Sequence, residues 1–110
     1  MKAREIVEQL GWQVLAGADH LENEVSGGYA ADLLSCVMAG AEAGHLWITL
    51  QTHTNIVAVA SLLGIAAIIV AEGAPVPADT VQKAEQQEMP LVSSPDPVYQ
   101  TIAQLIKLGI

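Results

Sequence analysis

The polar run Thr52-His53-Thr54-Asn55 stands directly ahead of the apolar stretch Ile56–Leu63, a spacing that could do chemistry. Asn55 is a good helix N-cap, and the first N–H groups of the helix it would open have no partner inside that helix. A phosphate or a ribose could be held at such an end, with Thr52 and His53 beside it. The plainer reading has Asn55 cap the helix while Thr52 and Thr54 satisfy loop backbone. The His53 imidazole also admits a general-base role, which requires a nucleophile or metal within hydrogen-bond reach; Ser93 and Asp19 are the groups the chain offers. There is no G-x-S-x-G turn to present a serine.

Gly27, Gly28, Tyr29 and Asp32 form a second constellation, a flexible turn feeding a helix with a carboxylate in its first turn. The glycines permit positive φ there and Asp32 complements the helix dipole. Alternatively Tyr29 and the glycines make a contact rim for a ligand or a second subunit. Glu72 and Gly73 close a run of apolar residues and complete the candidate ligand-binding set of Thr52, His53, Asn55, Gly27, Gly28, Asp32, Glu72 and Gly73. His20, His45 and His53, 25 and 8 residues apart, match no compact zinc spacing, so neither a metal nor another cofactor is expected. The one cysteine, Cys36, sits in an apolar helical stretch and reads as an inert core thiol in a reducing cytoplasm. Neither GxGxxG nor GxxxxGK[ST] occurs, which excludes a Rossmann fingerprint and the usual ATP-hydrolysing loop.

The surrounding pattern must position these residues. Lys2 to Leu10 puts Ile6, Val7 and Leu10 on one face and ends at Gly11, a short helix. Trp12 to Ala16 fits a first strand, and the polar segment Gly17 to Gly28 reads as loop or short edge structure anchored by Leu21 and Val25. Leu33, Leu34, Val37 and Met38 recur at helical spacing within Ala30–Ala39, and Leu46 to Leu50 is a strand. Gly64 closes the Ile56–Leu63 helix, and Ile65 to Ala71 is a strand of the buried type. Pro75 and Pro77 break the chain before a helix at Ala78–Glu88, a short strand at Pro90–Ser93 and a last helix at Pro97–Leu108.

Single helices between successive strands argue for parallel pairing with right-handed crossovers. The expected class is α/β, a three-layer sandwich on a mostly parallel sheet of about four to six strands. The sheet becomes mixed if Leu21–Val25 adds an antiparallel edge. Its strand ends would gather Gly17 to Asp19, Thr52 to Asn55, Glu72, Gly73, Ser93 and Ser94 on one rim, where parallel sheets bind ligands.

The 110 residues predict one domain over 1–110. Hydrophobic residues make up 52% and charged residues 15%, which excludes disorder and leaves more apolar surface than one small core readily hides. A homodimer through Ala30–Ala39 and Ile56–Leu63 is the expectation. Twelve acids against Lys2, Arg4, Lys83 and Lys107 give a net charge of −8, which disfavours nucleic acid and anionic membrane as partners. The start, MKAREIVEQLGWQ, is too charged for a secretion signal, and Ile56–Ala71 falls short of the ~20 apolar residues that span a bilayer.

Three segments resemble a stand-alone DRTGG domain: G-G-Y-A-A-D-L-L-S-C-V-M at 27–38, L-W-I-T-L-Q-T-H-T-N-I-V-A-V-A-S-L-L at 46–63 and A-A-I-I-V-A-E-G at 66–73. The likeness extends over roughly Val14 to Leu105. It implies an α/β domain similar to the amino-terminal domain of HPr kinase/phosphorylase and to those found beside CBS domains and phosphotransacetylase. It further implies a non-catalytic regulatory or assembly module, homodimeric, that senses a small ligand such as a nucleotide or docks a partner protein. Single-domain members accompany hydrogenase and signalling components. The string DRTGG itself is absent, and the strand-end segment reads Ala71-Glu72-Gly73-Ala74. A small enzyme using His53 as general base, or a pure scaffold, are the alternatives to this reading.

Overall fold

The computed structural model describes residues 1–110. In chain order the elements are α1 (Ala3–Leu10), β1 (Gln13–Ala16), β2 (Gly27–Ala30), α2 (Leu34–Gly40), β3 (His45–Thr49), α3 (Asn55–Leu63), β4 (Ala67–Val70), α4 (Ala78–Gln86), β5 (Leu91–Ser93) and α5 (Val98–Lys107), with a short 3-10 turn at Ala18–His20.

The five strands form one sheet in the order β1-β5-β4-β3-β2. From β2 to β5 the chain moves one place at a time through parallel neighbours, so each connection is a helix crossover. Right-handed crossovers in one direction put their helices on one face, and α2, α3 and α4 pack there together around Trp47, Ile68 and Val70. On the other face α1 and α5 cover Leu46, Ile48, Ile69 and Val92. Buried on both faces, β3 and β4 need apolar side chains at nearly every position, which is why they read as continuous hydrophobic runs. The result is the three-layer α/β sandwich on a mostly parallel sheet, and no helix is long and apolar enough to cross a membrane.

Four local expectations are corrected. The antiparallel member is β1, which pairs with β5 and has an irregularity between Val14 and Ala16. Leu21–Val25 instead lies along the chain start: Ala3 N–H bonds the Asn23 carbonyl at 3.0 Å, Arg4 N–H the Leu21 carbonyl at 2.9 Å, and Val25 N–H the Met1 carbonyl at 2.9 Å. Leu21 and Val25 are buried, as anchors should be.

Gly27 and Gly28 are in a strand, not a turn, and neither has a positive φ. The register Gly27↔His45 to Ala30↔Ile48 supplies through β3 what the local propensity of Gly-Gly-Tyr-Ala lacks. The following helix begins at Leu34 instead of Ala30 and buries only Val37. Because α2 accompanies the edge strand, nothing lies beyond it, and Leu33 is 64% and Met38 51% exposed. Cys36 is exposed as well, correcting its reading as a core thiol.

Candidate functional site

The loops at the carboxyl ends of β2 to β5 meet on one rim and are tied to one another by hydrogen bonds. After β2, Asp32 lies ahead of α2 instead of in its first turn, and its Oδ1 accepts from Thr49 Oγ1 at 2.9 Å and Leu50 N–H at 2.8 Å. Thr49 Oγ1 in turn accepts Gln51 N–H at 3.0 Å. Thr49 is buried, so the carboxylate satisfies a hydroxyl that the sheet would otherwise strand. The Asp32 role is therefore a clasp between two strand ends, not a complement to a helix dipole.

After β3, the Thr52 carbonyl accepts from the buried Thr80 Oγ1 of α4 at 2.7 Å. His53 is exposed, and its Nδ1 accepts the Asn55 N–H at 3.2 Å, with Thr54 Oγ1 at 3.5 Å. The Ile56 N–H goes to the His53 carbonyl and the Val57 N–H to the Thr54 carbonyl, both at 3.1 Å. The first N–H groups of α3 are thus occupied within the loop. This corrects both readings of Asn55: it is the first residue of the helix and not its cap, and the ring of His53 does the capping. No serine hydroxyl or carboxylate bonds that ring.

After β4, Glu72 and Gly73 take left-handed φ values of 63° and 58°. The turn is held by Glu72 N–H to the Asp96 carbonyl at 2.8 Å and Gly73 N–H to the Ser94 carbonyl at 2.9 Å, which join it to the loop after β5. Beneath it the Ser94 and Thr101 hydroxyls, both buried, lie 2.8 Å apart.

Of the residues expected at the rim, Thr52, His53, Asn55, Asp32, Glu72 and Gly73 are there. Gly27 and Gly28 are not. Gly27 begins β2 at the far end of the sheet, where a Cβ would meet the His45 ring at 3.3 Å, and Gly28 lies under α5. Gly17 to Asp19 are also misplaced, because an antiparallel β1 delivers them to the opposite end, against Pro90. No cavity opens onto His53, Asp32, Glu72 or Gly73. The nearest hollow, of about 310 Å³, lies between α3 and α4 and is lined chiefly by polar side chains, among them Asn55, Asp79, Gln82, Lys83 and Gln86. Lys83 forms no ion pair. No group of three His, Cys, Asp or Glu side chains converges as a metal site would require.

The sequence reading missed Thr49, Thr80 and Thr101 as the internal ties of this rim. Thr80 had a signal, since it occupies the same inward face of α4 as Ala84, one turn on.

The model of the DRTGG domain matches residues 5–108, nearly the whole chain. The chain belongs to the DRTGG domain family. No curated protein matches it. Among solved structures this DRTGG domain is similar to the CBS and DRTGG domains of the regulatory region of Clostridium perfringens pyrophosphatase, complexed with the activator diadenosine tetraphosphate. The TM-score is 0.75 at 12% identity, covering 96% of this chain and 46% of that one. Such a likeness speaks to fold, and the DRTGG domain spans about half the length of that neighbour.

Proposed function

We propose that this DRTGG domain is a non-catalytic regulatory module that senses a phosphate-bearing nucleotide beside its strand-end rim. The observation that supports it most is the shared fold with a regulatory region crystallised with a dinucleotide activator. In this chain the hollow between α3 and α4 suits such a ligand: Lys83, free of carboxylate partners, offers charge to phosphate, and Asn55, Gln82 and Gln86 offer amides to base or ribose. Thr52 and His53 hold the loop that positions Asn55, Asp32 clasps the start of that loop to the end of β2, and Glu72 and Gly73 join the neighbouring loops after β4 and β5. A non-catalytic role is supported by the His53 ring, whose Nδ1 caps α3 and whose other nitrogen meets no acid or nucleophile. The reading includes self-association and a cytoplasmic location, with docking beside hydrogenase or signalling components carried by family membership alone.

Thermal unfolding with ATP, diadenosine tetraphosphate or inorganic phosphate tests the proposal. A ligand at ten times its Kd adds about 1.4 kcal/mol, hence roughly 5 °C or more in Tm for a domain of this size. The shift is expected with the nucleotides and is lost in Lys83→Ala. Millimolar nucleotide without effect on Tm overturns it.

A further inference from the structure

We propose that two copies of this chain join edge to edge through β2, antiparallel across a twofold axis, with α5 packing on its copy over one face of the joint and α2 on its copy over the other. The proposal identifies the surface behind the self-association included above and rests on that part of the reading, not on the nucleotide.

Strand β2 ends the sheet and has only β3 beside it. Ala31 donates its N–H inward to the Ile48 carbonyl at 3.2 Å, so Ala30, one residue earlier, turns its N–H outward with no strand to receive it. Monomeric proteins blunt such edges with charge, proline or a bulge. Gly27-Gly28-Tyr29-Ala30 has none of these; four residues of shortness are its one protection, and its register to β3 runs without interruption. The opposite edge, β1, does carry an irregularity.

The surroundings of β2 are apolar on both faces. Under α5 a cavity of about 210 Å³ is lined by Gly28, Ala30, Ile48, Ile102, Ile106 and Ile110, among others. A further hollow between Tyr99, Ala103 and Ile106 continues it along the helix. Tyr99 is 84% and Ile106 64% exposed, and on the other face α2 exposes Leu33 and Met38. Four of the six large hydrophobic side chains the chain exposes, Leu33, Met38, Tyr99 and Ile106, are therefore on the two helices that flank this edge or, for Leu33, at the start of one.

Charge selects the occupant. A chain of net charge −8 meets a second copy favourably only where acids are absent. Residues 25–31 and 97–110 contain no acidic side chain, and Lys107 is their only charged one. The surface also suits a twofold contact: glycine and alanine on β2 leave the floor of the hollow without bulky side chains, and Tyr99 and Ile106, exposed on its α5 wall, are placed to pack against the same wall of a copy. A stable dimer buries about 800 Å² per partner, roughly a seventh of the 5467 Å² surface, which one strand with two helices can supply.

Sedimentation velocity of the full chain at tens of micromolar is expected to give a species of twice 11.5 kDa. Ile106→Glu places like charges across the axis and is expected to weaken association at least about 100-fold. Tyr99→Glu is expected to do the same, while Leu62→Glu, at an exposed position of α3 outside the proposed contact, leaves the dimer intact; circular dichroism melts confirm that each variant is folded. Amide exchange at Ala30 is slow in the wild type and fast in Ile106→Glu. A monomeric wild type, a dimer that survives both α5 variants, or an Ala30 amide indifferent to Ile106→Glu overturns the proposal. The two readings fail separately: Lys83→Ala loses the nucleotide shift and keeps the dimer, and Ile106→Glu loses the dimer and keeps the shift.

Discussion

At the scale of single residues, the rim depends on a few side chains that stand in for backbone partners. Asp32 accepts from a buried hydroxyl and from a main-chain N–H. Asp32→Ala leaves both donors unpaired and is expected to cost about 1–3 kcal/mol in urea unfolding, with Asp32→Asn milder because Oδ1 remains. His53→Ala removes the ring that caps α3 and should cost about 1 kcal/mol. Two glycines separate conformation from space. Gly11 has φ 68° and open room around a built Cβ, whereas Gly17 has φ 73° and a Cβ that would stand 2.7 Å from the Pro90 backbone. Gly11→Ala should lose only the left-handed strain of about 1–2 kcal/mol, and Gly17→Ala distinctly more. Equal losses from the two would refute the steric account. In the sequence, the polar run 52–55 was legible as a loop at a helix start, because capping is local. The Asp32 contact was not, since Thr49 lies 17 residues away and the helix signals nearby gave the carboxylate a closer explanation.

At the scale of elements, legibility follows how far stability is local. α1, α3 and α5 read directly from spacing and from the glycines after them, while β2 takes its conformation from β3 and β1 takes its direction from β5, neither of which is written in the strand itself. α2 is seven residues long with one buried side chain, so its amides should exchange by local opening while those of β3 and β4 wait for global unfolding. Equal protection in α2 and β4 would contradict that ordering. α1 is clasped to the loop before β2 by Arg4, whose Nε and Nη2 bond the Glu22 carboxylate at 2.9 and 3.1 Å. The hydrogen bond and then the charge of Arg4 hold the Glu22 carboxyl below its usual range. A lowered folded-state pKa gives stability that is present above the unfolded carboxylate value of about 4.3 and lost as pH falls through the folded value. Wild type should therefore lose more stability on acidification than Glu22→Gln, by a small margin because both groups are exposed.

At the scale of the whole molecule, the layered class and the apolar excess were legible because both are sums over the chain. The excess appears as side chains left outside, Leu33, Met38, Tyr99 and Ile106 among them. What a sum cannot locate is the face: the sequence placed it on the segments Ala30–Ala39 and Ile56–Leu63, of which the first does expose Leu33 and Met38, while α3 exposes Leu62 but turns Ile56, Val57 and Ala60 into the core. The other whole-molecule quantity is charge. Net −8 is spread over a body of 31 × 27 × 24 Å. At 0.01 M salt the screening length is about 30 Å, so every carboxylate acts on every other; at 0.15 M it is about 8 Å, and only neighbours do. Self-repulsion of this kind weakens the compact state, and the surface has few ion pairs whose screening would offset the gain. Tm is expected to rise as sodium chloride goes from 10 to 150 mM at constant protein concentration and neutral pH. A fall over that range would mean that the Arg4–Glu22 pair and its few companions outweigh the repulsion, a balance the scattered acids of this sequence argue against.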